Sequence, residues 1–180
     1  MILTDKQMQL AIRVGNLRTK SGAGRGDYLS CGRAPSGMSD VQAAIAECAM
    51  ALKTGFPWRA YKSSSEHKGR SKCPEPDVGP LEIKSISKPH HKLILHSEPM
   101  MLTPHVRLLV NGPEVTFMGW AFGFEVWDPK HWDASLPTPA YARQHLYKFT
   151  SLLNWCEQSN WKVKEVDYPI FAEGWKPIGL

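Results

Sequence analysis

Residues 39–53 (SDVQAAIAECAMALK) constrain the fold of this chain more than any other stretch. They are apolar or small almost all round a helix, and a helix of that kind is buried on most of its faces. Ser39 and Gln42 have the spacing of a capping box, and Gly55 supplies a C-terminal stop. Between Asp40 and Lys53 the one ionisable carboxylate is Glu47. A buried, unpaired charge costs several kcal/mol, so Glu47 requires a cation, a basic side chain or an exposed strip of its own.

Further along, Pro76-Asp77-Val78-Gly79-Pro80-Leu81-Glu82-Ile83-Lys84 reads as a short hairpin with Gly79-Pro80 at its turn. Alternating polarity from Leu81 to Ile86 predicts a strand with Leu81 and Ile83 in a core and Glu82 and Lys84 on the opposite face. Asp77 then approaches Glu82 across the turn, and the two acids offer hard oxygen ligands to a cation such as Mg²⁺, which keeps several waters and contacts phosphate. Lys84, one pleat away, is placed to orient or deprotonate a water, to stabilise charge on a phosphate, or to neutralise the acids. An acid, a free gap, a second acid and a lysine two further on arises by chance on the order of once in a chain of this size. A polar hairpin edge is therefore the plain alternative, and the weight of the motif comes from Glu47 upstream.

A buried helix carrying Glu47, then Pro76-Asp77, then Glu82-Ile83-Lys84, resembles the PD-(D/E)xK nuclease superfamily. Leu93-Ile94-Leu95-His96, residues 106–110 and residues 115–123 with Gly119-Trp120 are similar to strands of small bacteriophage members of that superfamily. The likeness covers about Ser39 to Phe149. It implies a restriction-endonuclease-like α/β fold, a mixed sheet flanked by helices. It also implies Asp77 and Glu82 as ligands of Mg²⁺ or Mn²⁺, the Ile83 carbonyl as a further ligand, Glu47 completing the acidic cluster, and Lys84 beside the attacking water. Cleavage would leave a 5′-phosphate, with DNA the expected substrate. One departure stands out: many superfamily members place a long helix soon after the lysine, whereas Ser85 to Lys92 is short and contains Pro89. Two other readings share these residues: a protein on a nuclease-like fold that binds nucleic acid without cutting, and a dimeric resolvase of four-way junctions.

A length of 180 residues, 42% of them hydrophobic, and seven tryptophans suit one compact domain with a substantial core. Within it, residues 1–38 read as an N-terminal helix and a basic, glycine-rich loop, and residues 39–180 as the nuclease-like part. A net charge of +5 favours a polyanionic partner, and the placement of the cations says more than their sum. Arg13, Arg18, Lys20, Arg25 and Arg33 stud the N-terminal region. Lys62, Lys68, Arg70 and Lys72 precede Asp77, while Lys88 and Lys92 follow Lys84, so a phosphate backbone laid over the acids would meet cations on both sides. Solvated loops are the alternative to that picture.

Cys31, Cys48, Cys73 and Cys156 form no Cys-x-x-Cys pair and read as reduced thiols, in keeping with a cytoplasmic protein. His90, His91, His96 and His105 lack the regular spacing of a zinc site. No signal-peptide pattern and no membrane-spanning apolar run is seen. A helix from Thr4 or Asp5 to about residue 17 is expected to turn Met8, Leu10 and Ile12 inward, with a loop from Thr19 to Met38. Strands are expected near 105–110 and 115–126, an antiparallel pair around Asn111-Gly112-Pro113 with bulges at Gly119 or Gly123. Thr138-Pro139 is expected to open a long helix with Leu146, Phe149, Leu153 and Cys156 along one stripe, followed by a last strand beyond Trp161.

Overall fold

The computed structural model describes residues 1–22, 37–59, 76–95, 101–131, 140–141, 146–159 and 161. Helix α1 (Asp5–Gly22) opens where Thr4 and Gln7 exchange hydrogen bonds, the Gln7 amide oxygen accepting from the Thr4 N–H at 2.8 Å. It runs past the expected end, so Thr19 to Gly22 are helical rather than loop. The Thr19 hydroxyl lies 3.1 Å from the Gly15 carbonyl one turn back and donates to Asp40 at 2.9 Å, which ties this last stretch to the second helix. Ala11 and Val14 form the buried stripe, whereas Ile12 is 39% exposed.

Helix α2 (Gly37–Thr54) begins two residues before Ser39, which therefore lies inside the helix and not at its cap. Its C-terminus is as expected: Gly55 adopts φ 71° and its N–H donates to the Ala51 carbonyl at 2.8 Å. Ala44 to Ala51 are buried without interruption. The two helices meet at backbone distance, because a Cβ on Gly15 would lie 2.4 Å from the Val41 Cα. Only glycine permits that approach.

Three strands, β1 (Glu82–Ile86), β3 (Pro104–Asn111) and β4 (Glu114–Phe122), form a mixed sheet in the order β1-β3-β4. β3 and β4 are antiparallel around Gly112, at φ 56°. The ladder shifts register between Arg107 and Leu108, leaving Met118 as the extra residue of a bulge beside Gly119. β1 and β3 are parallel, and a parallel pair needs a crossover. Residues 87–103 make it without a helix among the described residues: the path includes β2 (Leu93–Ile94), which pairs antiparallel with β5 (Ala140–Tyr141).

Each face of the sheet carries its own apolar cluster. Ile83, Val106, Leu108, Val110 and Trp120 pack with α1, α2 and helix α4 (Phe149–Gln158) in the main core, and Ala121 packs with Leu93, Leu95 and Val126 in the smaller one. Two sequence expectations give way here. β4 stops at Phe122, whose N–H donates to the Glu125 carboxylate at 2.7 Å, and Gly123–Val126 turn into a short helix, α3. α4 starts at Phe149: Ala140–Tyr141 form a strand and Tyr147 exchanges backbone hydrogen bonds of 2.8 and 3.2 Å with Trp120, while Thr138 and Pro139 lie outside the described residues. The inward residues of α4 are accordingly Leu152 and Cys156. The molecule is a mixed α/β domain, with four α-helices among the described residues. The expected last strand beyond Trp161, and Arg25 and Arg33, lie outside those residues.

Candidate active site

The turn that opens the site is built by Gly79, at φ 53°, and Pro80, across which Val78 and Leu81 exchange backbone hydrogen bonds of 3.0 and 2.9 Å. Gly79 also packs so closely on Phe56 that a Cβ would stand 2.9 Å from its ring. Leu81 and Ile83 enter the main core, which commits Glu82 and Lys84 to the other face of β1. The chain doubles back, and the Asp77 carboxylate accepts the Ile83 N–H at 2.9 Å. Asp77 is thus fixed against the strand that carries Glu82 and Lys84. The Lys84 ammonium donates to Glu82 at 2.8 Å, both side chains being partly exposed.

Glu47 is 3% exposed, and its requirement for a partner is met by a basic side chain and an indole. Arg18 on α1 donates to its two oxygens at 2.8 and 2.6 Å, a two-pronged pairing, and the Trp58 indole N–H adds a third bond at 2.7 Å. Arg18 therefore leaves the N-terminal group of solvated or phosphate-facing cations and belongs to the interior. It also donates to the Arg59 carbonyl at 3.3 Å, while the Arg59 N–H donates to the Asp77 carbonyl at 3.0 Å. Backbone thereby connects the Glu47 cluster to the Asp77 turn.

Charge interactions join the two halves. Burial, then the Asp77 charge, push the Glu47 carboxyl upward against the pull of Arg18 and Trp58. Burial opposes the Lys84 charge, but Glu82, Asp77 and Glu47 outweigh it and raise its pKa. Arg18 behaves in the same way, with Glu47, Asp77 and Asp40 outweighing burial. Glu47, Asp77, Glu82 and Lys84 therefore stand within one electrostatic neighbourhood. Among the described residues no three His, Cys, Asp or Glu side chains are arranged to hold a metal ion.

Two residues with no expected part in the site stand beside this group. Trp58 is one, and His105 is the other. His105 pairs with Glu82 in the parallel register, is 4% exposed, and has no hydrogen-bond partner at either ring nitrogen among the described residues. Burial, then the Lys84 charge, lower its pKa to about 3 against the opposing Asp77, so the ring is neutral. Its position in a β-branched and apolar strand offered no signal of this placement.

Of the expected nucleic-acid contacts, Lys88 and Lys92 are exposed on the segment after β1. Burial and the charges of His90, Lys88 and Arg107 lower the pKa of His91 there, the mark of a positive environment. Lys62, Lys68, Arg70 and Lys72 lie outside the described residues. Cys48 and Cys156 are buried free thiols, pushed by burial to about 12 and about 11. No helix of the described residues is long and apolar enough to cross a membrane. No protein-family model, curated protein or solved structure matches the chain.

Proposed function

We propose that this chain is a Mg²⁺- or Mn²⁺-dependent nuclease of restriction-endonuclease-like fold, acting on DNA. One observation carries the reading: the Asp77 carboxylate is pinned to the Ile83 N–H, beside a strand that projects Glu82 and Lys84 from one face. The donor set fits a hard divalent cation. Asp77, Glu82 and the Ile83 carbonyl would supply oxygen ligands, the kind such an ion takes.

When bound, the ion would lower the pKa of a coordinated water and offset phosphate charge. Asp77 and Glu82 would hold it. Lys84, once it turns from Glu82, would orient the water or donate to a phosphate oxygen, and Lys88 and Lys92 would meet the backbone on one side. Incubated with plasmid DNA and Mg²⁺ or Mn²⁺, the purified protein should nick or degrade it, and Glu82→Ala and Lys84→Ala should each abolish this. Activity surviving in both variants would remove the assignment.

A second reading, nucleic-acid binding without cleavage, draws on the fact that Glu82 already pairs with Lys84 and Glu47 with Arg18. Calorimetric titration separates the two: divalent-ion binding that depends on Asp77 favours the nuclease, and its absence favours the binder. A panel that includes four-way junctions tests the resolvase variant.

A further inference from the structure

β4 is the end strand of its sheet opposite β1, and among the described residues two stretches of chain pair along its outer edge. Met1 and Val115 exchange backbone hydrogen bonds of 2.8 Å in each direction, and Tyr147 and Trp120 exchange theirs at 2.8 and 3.2 Å. Alternate residues of an edge strand turn their N–H and C=O away from the sheet. Val115 faces outward in this way, so Phe117 does too, and no described residue bridges to it. At about 3.3 Å per residue, the edge between the two pairings has room for about three residues of an added chain. A gap bounded at each end suits the end of a chain, not a strand that runs through.

Below this gap lies a notch of about 250 Å³ between β4 and α2, lined by Ala49, Met50, Leu108, Val115, Phe117 and Phe149. A dry cavity of about 150 Å³ already takes up a benzene ring, so the notch has room for a large aliphatic or aromatic side chain. Phe117 is packed on this face of the sheet, against the main core. Residues paired across a ladder share a face, so a residue that pairs with Phe117 directs its side chain into the notch. Lys53 also lines it, exposed, with its ammonium 5.6 Å from the centroid of the Phe149 ring. Among the described residues Lys53 pairs with no carboxylate, and no acid stands in the lining.

We propose that this edge docks the carboxyl-terminal segment of a partner protein whose last residue is large and apolar. The last residue pairs with Phe117, its side chain fills the notch, and its carboxylate meets Lys53. Main-chain bonds supply affinity in such strand addition, and the notch supplies selectivity. The docked end lies at the edge of the sheet away from β1, so the proposal is independent of the chemistry at Asp77 and Glu82.

The test uses the full chain and the peptide acetyl-glycyl-seryl-leucine, with binding and amide exchange at Phe117 both followed by nuclear magnetic resonance. In the free protein that amide should exchange as fast as an unpaired edge amide. The peptide should bind saturably by about 1 mM and slow the exchange about tenfold or more. Glycine in place of the last leucine should weaken binding about tenfold, the weight of one buried leucine side chain. Amidating the carboxylate, which needs no variant of the protein, should weaken it about fivefold. Lys53→Gln, at an exposed position, should do the same to the free acid and add nothing to the amide. Protection of Phe117 in the free protein would overturn the proposal: protection independent of protein concentration means that another stretch of this chain fills the gap, and protection that grows with concentration means that a second copy does. Failure of the peptide to bind by about 1 mM would also overturn it. So would binding indifferent to the last side chain or to its charge, or an effect of Lys53→Gln that persists with the amide.

Discussion

Arg18→Met isolates the charge of the buried pair, because methionine keeps much of the apolar stem and removes the guanidinium. Glu47, with a side chain 4% exposed, would then keep only the Trp58 N–H, next to the Asp77 charge. Stranding one partner of a buried pair costs about 3–5 kcal/mol, and since Arg18 is itself 20% exposed, the lower end, about 3 kcal/mol, is expected. For a chain of this size that is a fall of about 6–12 °C in Tm. The sign with pH follows from the groups facing Glu47: Arg18 from α1, Trp58, Asp77 and, from β1, Lys84. Without Arg18, burial and Asp77 raise the carboxyl further. A group whose folded pKa is raised binds its proton more readily when folded, so its stabilisation is full at low pH and lost as pH rises. The penalty should therefore be full near pH 8 and shrink toward the ordinary carboxyl range. Thermal and urea unfolding followed by far-UV circular dichroism at several pH values between these limits is the assay. Adding Glu47→Gln should recover most of the loss, and the recovery should no longer depend on pH. A cost below about 1 kcal/mol, the value of a surface pair, or one that does not change with pH, would refute the assignment of Glu47 as a buried ion held by Arg18.

His105 has a folded pKa near 3 against an ordinary 6.5, so below pH 6.5 the unfolded chain takes up a proton that the native one refuses. Stability should fall by up to about 1.4 kcal/mol per pH unit from 6.5 down toward 3, and His105→Leu, which also removes a ring with no hydrogen-bond partner among the described residues, should flatten that slope at no cost near pH 7 in urea melts. Gly119 adopts φ 128° with a would-be Cβ 2.4 Å from that of Leu146, whereas Gly112, at φ 56°, faces open space. Gly119→Ala should cost about 2 kcal/mol or more and Gly112→Ala about 1 kcal/mol, an order that thermal unfolding of the two variants checks.

What the sequence disclosed was local. Gly79-Pro80 as a turn, Leu81 and Ile83 inward with Glu82 and Lys84 outward, the hairpin around Gly112 and the buried face of residues 44–51 all follow from alternation, helical spacing and glycine conformations. What it withheld depended on distant partners. α4 starts late because Tyr147 finds Trp120, and β4 ends early because Glu125 reaches back to Phe122. Glu47 advertised its need for a counter-charge, but the partner is 29 residues away and was indistinguishable in sequence from the other N-terminal cations. The close approach of α1 and α2 at Gly15, one turn before Arg18, goes with that pairing.

The placement of the acids on β1 has a consequence for access. Among the described residues β1 is the end strand of its sheet, and an open edge invites pairing with another chain. Here the Ile83 N–H is engaged by the Asp77 carboxylate, and the strand is preceded by the tight Gly79-Pro80 turn. The same bond that fixes Asp77 therefore removes one donor on which an invading strand would build a ladder. Under the nuclease proposal, an extended polyanion lying along β1 would pass Asp77, Glu82 and Lys84 before meeting Lys88. On the nuclease proposal, a sheet edge guarded by its own carboxylate would join protection from aggregation to presentation of the acids, and Asp77→Asn is the substitution that keeps the side chain able to accept the Ile83 N–H while removing the charge that an ion would need.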